Sequence, residues 1–474
     1  MTISLQFLRH TAILMGGTAL AQALALLAAP VLTRLYQPAE FGLFSAIAAA
    51  AAILSIVSTL RYELAIVLPK SEAEAVGLAL IAVLTTLVIT AAAVFLPWLL
   101  PSTAARLLGP LANYWWPVPL LAVLMASTQI LNCIANRQRS YGSIAAGLLF
   151  QQAGTAGFSI LIAAFALFAH GLVIGRLAGQ VCAVVTLAVA LKLCFAARGS
   201  LDWPLIRDVA SRYRQFPIFN VPYSLFGAVS KEFVILAFTA VSHLPAAGYY
   251  GLARMVLTAP ISFLSSSLSQ VFYKEAAASI GSPEFERLML GLLRTIAVAL
   301  APAFVFAWFW SPLAFEFIFG SQWREAGQYA SILMPIAFLS LFTSWPERIF
   351  EVRGKQQYAL AIQATFDICS LLVIVVLLSK GYSEMAVVRS YVTIQIGYHL
   401  SYLFAVFVFA GLGARQYCGF LSLLTLGVGV SLAIQFPIQY YLSQDYSGML
   451  FAALAAIAVA APSGIYFVKY RTRP

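Results

Sequence analysis

The sequence predicts an all-α integral membrane protein of about fourteen transmembrane helices. Three observations carry that prediction. Hydrophobic residues make up 62% of the 474 positions, charged residues only 9%, and the apolar residues gather in blocks long enough to cross a bilayer. A soluble domain carries about 25% charged residues, so a soluble surface of this size cannot be built from this chain. The composition also excludes a disordered protein, and the alternating pattern of an outer-membrane barrel is absent.

A span takes roughly 20 apolar residues, and the blocks follow in order. The first, 11–35, holds an uninterrupted run from Thr11 to Leu32, longer than the roughly 7–15 residues of a signal-peptide core, so it stays as a helix. Pro38 introduces the Ala-rich second block, 41–60, and Arg61 and Lys70 separate it from the third, 75–99. Blocks 114–135 and 142–167 flank Arg137 and Arg139, and 171–195 runs up to the hydrophilic stretch from Ala196 to Gln215. Blocks 216–241 and 246–272 form a hairpin. The remainder are 288–312, 326–345, 358–379, 384–410, 417–437 and 447–468.

The net charge of +11, from 28 Lys and Arg against 17 Asp and Glu, reads as topology before it reads as nucleic-acid binding, because cytoplasmic loops collect Lys and Arg. Twenty basic residues fall on alternate connections, among them Arg61, Lys70, Arg137, Arg139, Lys192, Arg198, Arg207, Arg353 and Arg415. The opposite side holds Arg34, Arg106, Arg324 and Lys380. The bias predicts a multi-pass protein with both termini in the cytoplasm, an even span count, no attached soluble domain and no nucleic-acid partner.

A weak internal repeat divides the chain. Pro38-Ala39 matches Pro245-Ala246, Glu63 matches Glu275, and His170-Gly171 matches Lys380-Gly381, all at nearly one spacing. This predicts two pseudo-symmetric six-helix lobes, 1–210 and 211–412, followed by a helical pair at 413–474. Parallel repeats of this kind are transporter architecture.

The missing motifs narrow the chemistry. Gly354-Lys355 lacks the upstream Gly of a nucleotide-binding P-loop. No Asp-x-Asp pair and no His-Glu-x-x-His helix is present, which predicts no metal site and no catalytic residues. Cys133, Cys182, Cys194, Cys369 and Cys418 lie in or beside apolar segments without a Cys-x-x-Cys pair, as buried free thiols do.

Charges inside spans are costly and point to function. Lys231 and Glu232 fall in the seventh block and Arg254 in the eighth. Counted from the loop between them, both cations lie roughly 14 Å below the outer surface at the helical rise per residue. With Tyr249 and Tyr250 they outline a basic, aromatic cavity for an anionic ligand carrying sugars; a helix-pinning ion pair to Glu232 is the alternative. Arg34 is a further candidate for the cavity. Asp367, mid-span in the eleventh block, and Glu232 are candidates for ion coupling, against a packing role. The small residues Ser45 to Ala52 allow close helix approach, and Pro30, Pro222, Pro260, Pro302 and Pro335 fall within spans.

Three segments resemble the Wzx-type oligosaccharide and polysaccharide flippases of the MOP superfamily. They are Pro30-Val31-Leu32-Thr33-Arg34-Leu35-Tyr36 with Pro38, Glu40, Phe41 and Gly42; Leu60-Arg61-Tyr62-Glu63-Leu64-Ala65-Ile66-Val67-Leu68-Pro69; and Ala247-Gly248-Tyr249-Tyr250 through Arg254, Pro260 and Gln270-Val271-Phe272-Tyr273. The resemblance implies a MATE-like bundle in the bacterial inner membrane. Its implied cargo is an undecaprenyl-diphosphate-linked oligosaccharide, a precursor of O-antigen lipopolysaccharide, capsule or exopolysaccharide, moved to the periplasmic leaflet by alternating access. It also implies coupling to an H+ or Na+ gradient, as in an antiporter, without a cofactor, and a polysaccharide polymerase and chain-length regulator as partners. Arg254 carries over as a cavity cation because it stands in a matching segment. Lys231 and Glu232 are read from depth alone. A drug or toxin exporter of the same fold is the alternative, although acidic rather than basic cavity residues would suit cationic cargo. A membrane glycan polymerase would need a large outer loop or a carboxylate site.

The charge bias generates a topology prediction. Cysteines introduced at Ser71, Ser200 and Ser282 are shielded from an impermeant thiol reagent in intact cells, and one at Ser321 reacts. Labelling at Ser200 without permeabilisation would reverse the orientation.

Overall fold

The computed structural model describes residues 5–99, 101–165, 170–191, 203–441 and 445–471. Among these the chain is helical and no strand occurs. The long helices are α1 (Leu5–Leu35), α2 (Pro38–Ser58), α3 (Glu72–Val94), α4 (Pro117–Arg137), α5 (Tyr141–Ala164), α6 (Gly171–Ala190) and α7 (Val221–Ala240). They continue as α8 (Leu244–Ser279), α9 (Pro283–Phe319), α10 (Arg324–Thr343), α11 (Gln356–Ser379), α12 (Glu384–Ala410), α13 (Ala414–Tyr441) and α14 (Tyr446–Arg471). Each predicted block falls on one of them. Twelve helices among the described residues are long and apolar enough to cross a membrane; α8 and α14 carry the eighth and fourteenth blocks. Lys192, Cys194, Arg198, Ser200, Asp202 and Arg473 lie outside the described residues.

The helices gather into two compact units, Met1–Gly251 and Leu252–Pro474. In the first, small residues decide which helices touch. The first turns of α2 and α8 meet backbone to backbone: a Cβ on Gly42 would collide with the Leu244 carbonyl, and one on Gly248 with that of Pro38. Gly175 and Gly179 of α6 accept Ser159 and Thr155 of α5 in the same way. Apolar lipid tails give helices no reason to associate, so close van der Waals approach across such residues has to supply one. Tyr36, after α1, donates its phenol to the Ser159 carbonyl at 2.7 Å. Burial, with the Glu40 carboxylate nearby, pushes that phenol up to about 12, so it stays a donor.

The segment after α2 folds into a brace rather than a free loop. Leu60 and Arg61 both take left-handed backbone angles, φ 48° and 59°, which cost roughly 1–2 kcal/mol per residue. A 3₁₀ helix follows over Tyr62–Val67. Long-range bonds hold this strained turn. Arg61 donates to Glu63 at 3.1 Å and to Ser224 of α7 at 3.0 Å. Arg137 at the end of α4 donates to the carbonyls of Ile66 and Pro69 at 3.1 and 2.6 Å. Tyr62 donates to Ala210 at 3.1 Å, in the short helix Trp203–Arg212. Arg212 pairs with Asp208 and with Glu74 of α3, two carboxylates that raise its guanidinium further, Asp208 most. Tyr62, Ile66, Leu78, Ile130 and Val209 form the apolar interior beneath.

The second unit is packed by aromatic rings. Phe272 meets Trp345 edge to face at 4.6 Å and Phe285 at 5.5 Å, and Phe342, Phe407 and Phe420 continue the cluster. Pro302 and Pro312 lie inside α9, Pro335 inside α10 and Pro260 inside α8. Pro222 falls inside the seventh span, as expected. It stands at the junction where a π turn over Phe216–Asn220 passes into α7, and its missing N–H removes a helical bond there.

The backbone crossing of α2 and α8 generates a stability prediction. Gly42→Ala should cost about 1–3 kcal/mol through overpacking, read as a lower thermal midpoint in detergent. Gly157→Ala, whose Cβ meets open space, should leave the midpoint unchanged or slightly higher. Equal behaviour of the two variants would refute the close crossing.

Candidate functional site

Each candidate takes its place from the helix that carries it. In the first unit, Arg34 is exposed in the last turn of α1. Lys231 is exposed midway along α7, and Glu232, the next residue, is half-buried. The turns of α7 that precede them contain no buried residue; its buried positions are Val234, Ile235, Phe238 and Thr239. Lys231 and Glu232 therefore stand where α7 changes from an accessible to a packed helix. Tyr249 is half-buried in the first turns of α8. Tyr250 is 2% exposed and meets Phe238 of α7 edge to face at 6.5 Å, so its ring belongs to the packing that ties α7 to α8.

Arg254 and Asp367 belong to the second unit. Arg254 is half-buried on α8, ahead of Pro260. Asp367 is half-buried on α11 and receives a hydrogen bond from Gln395 of α12 at 3.5 Å. The same amide nitrogen donates to Ser370, one turn further along α11, at 3.2 Å. Gln395 and Ser370 are 8% and 2% exposed, so the carboxylate is held by a buried polar clamp across α11 and α12. Two further polar groups follow Gln395 along α12. His399 lies one turn beyond Gln395, and its Nδ1 shares a 2.9 Å hydrogen bond with Thr343 at the end of α10. The Tyr398 ring packs 4.8 Å from that imidazole.

Sequence reasoning missed the contacts of Gln395, His399 and Tyr398. Their spacing was visible, but the partners that make it meaningful, Asp367 and Thr343, come from other helices. It also missed how deeply Glu63 is set. That side chain is 1% exposed, with one oxygen on Arg61 and the other without a hydrogen-bond partner among the described residues. Among the described residues no group of His, Cys, Asp and Glu could hold a metal ion.

The family described as polysaccharide biosynthesis protein matches residues 31–328. No curated protein sequence matches the chain significantly. Among solved structures, the chain is similar to the lipid II flippase MurJ in an inward closed conformation. The TM-score is 0.73 at 14% identity, covering 97% of this chain and 99% of that one. It is also similar to an inward-facing multidrug resistance MATE family transporter of the MOP superfamily, with TM-score 0.52, 13% identity, and 84% and 94% of the two chains covered. A eukaryotic MATE transporter gives 0.50 at 13% identity, over 90% and 99%. These likenesses are of fold: the chain has the all-helical, multi-pass architecture of those transporters.

Proposed function

Because this chain belongs to the polysaccharide biosynthesis protein family, we propose that it flips an undecaprenyl-diphosphate-linked oligosaccharide across the bacterial inner membrane, from the cytoplasmic to the periplasmic leaflet. The observation that carries this reading is the combination of that family with a fold shared along 97% of the chain with a lipid II flippase. The cargo is a precursor of O-antigen, capsule or exopolysaccharide, and a polysaccharide polymerase with its chain-length regulator takes the flipped unit.

The residues suit the task chemically. Arg254, Lys231 and Arg34 supply positive charge for the diphosphate, with Arg254 able to grip two oxygens at once and Lys231 acting as a point charge. Tyr249 offers an aromatic face to a sugar ring, and Tyr250 fixes α8 behind it. Asp367 and Glu232 are the carboxylates through which an H+ or Na+ gradient drives the cycle, in place of a nucleotide. A drug exporter of the same fold is the weaker reading, because three of the candidate cavity groups are basic.

Arg254 provides the test. Arg254→Lys should retain part of the transport per molecule of inserted protein. Arg254→Ala and Arg254→Glu should lose about tenfold or more, as expected for a charge-assisted hydrogen bond of 1.5–3 kcal/mol. If the residue only pins helices, the variants should instead lower the amount of folded protein, and Glu232→Gln should do the same. Normal insertion with normal flipping in Arg254→Ala would overturn the cationic site.

A further inference from the structure

A cavity of about 460 Å³ opens in the first unit beside the brace. Its walls are Val67 of the 3₁₀ turn, Glu72 at the start of α3, the turn from Asn136 to Arg139 at the end of α4, and Tyr141 at the start of α5. Three apolar helices begin or end around it, so it lies at the level where spans leave the hydrocarbon.

The two arginines of the cavity differ in what they hold. Arg137 directs its guanidinium to the carbonyls of Ile66, Pro69 and Ser71 and to the Glu72 carboxylate at 3.2 Å. That side chain builds the wall and neutralises Glu72. Arg139 is exposed, and its side chain has no hydrogen bond or ion pair among the described residues. Lys70, between the two residues Pro69 and Ser71 whose carbonyls meet Arg137, is exposed as well. The rim therefore keeps an excess of positive charge, and the N-terminal end of α5 adds a partial one.

Arg139 also stands where the backbone favours a different residue. Its φ is 56°, and the next residue, Ser140, donates to the Ala135 carbonyl at 2.8 Å. That bond closes a Schellman turn, whose left-handed position is usually glycine. A cationic side chain kept at a strained position points to a use for the side chain. The same rim is apolar on the side of the brace, where Leu64, Val67 and Leu68 are 39%, 39% and 57% exposed.

We propose that this cavity binds the phosphate of an anionic phospholipid headgroup. Arg139 takes two phosphate oxygens with its planar fork, and the exposed amides of Asn136 and Gln138 donate to the remaining headgroup oxygens. Leu64, Val67 and Leu68 lie against the acyl chains. A free phosphate shares the Arg139 chemistry but gains nothing from the apolar rim. The site uses none of the residues proposed to hold the cargo, and it stands whether or not the chain flips that cargo.

The test uses the full chain purified in an uncharged detergent. Native mass spectrometry counts retained lipid, and thermal unfolding gives a second readout. Phosphatidylglycerol should bind the wild type and raise its thermal midpoint, as a ligand of the folded state does. Arg139→Gly removes the cation and relieves the positive φ, so without lipid its midpoint should equal or exceed that of the wild type. It should nevertheless bind phosphatidylglycerol about tenfold or more weakly, as expected for a lost charge-assisted hydrogen bond. Arg139→Lys should retain part of the affinity. Arg415→Ala, which removes an exposed arginine of α13, should bind as the wild type does. Unchanged affinity in Arg139→Gly, or an equal loss in Arg415→Ala, would overturn the site. A midpoint raised as far by inorganic phosphate as by phosphatidylglycerol would assign the cavity to free phosphate and overturn the lipid. No binding of phosphatidylglycerol by the wild type would leave Arg139 to an acidic protein segment and overturn the lipid equally.

Discussion

Hydrocarbon offers no partner to a backbone N–H or C=O, and each unpaired group there costs several kcal/mol. The rest of this structure depends on that constraint. It turns the chain into long helices whose own ladders satisfy the backbone. Once inside lipid, apolar surface no longer drives those helices together, so contact depends on how closely their axes can approach. That is why Gly42 and Gly248 occupy the crossing of α2 and α8, and why Gly175 and Gly179 face Ser159 and Thr155 between α6 and α5.

The same constraint sorts the charges. At the loop end of the first unit they form a brace in which Arg61, Glu63 and Arg137 hold a strained turn. With Glu63 1% exposed, loss of Arg61 would leave a buried carboxylate uncompensated, a change that typically costs about 3–5 kcal/mol. Exposed pairs such as Arg287–Glu284 contribute about 0–1 kcal/mol and decide little. The charges within spans are few, and α7, α8 and α11 each carry one or two of them. Of these, Asp367 sits in a defined hydrogen-bonded setting that a structural residue and a coupling residue would both need.

Much of the fold was legible because span length and hydrophobicity are local properties. Thr11 to Leu32 and the Ala-rich run of α2 announce helices whatever surrounds them. The segment from Leu60 to Pro69 was legible only as a resemblance. Its left-handed turn is held by Ser224, Ala210 and Arg137, far away in sequence, so no local pattern reveals it. Tyr249 and Tyr250 look equivalent as a dipeptide, but the fold buries Tyr250, against Phe238 among others, and leaves Tyr249 half-buried. In the candidate site, Asp367 stood out as a lone carboxylate in an apolar run. Gln395, Thr343 and His399 did not, since their meaning lies in pairings across three helices.

The proposed activity is movement of a lipid-linked oligosaccharide without a nucleotide. The most direct measurement reconstitutes it in sealed vesicles carrying undecaprenyl-diphosphate-linked oligosaccharide in both leaflets, and follows access of an impermeant glycosidase to the inner-leaflet pool. The account predicts that the protected pool becomes accessible in the absence of ATP, faster under an imposed ion gradient, and only in vesicles that contain the protein. A pool that stays protected while the inserted, folded chain is present and a gradient is imposed would contradict it.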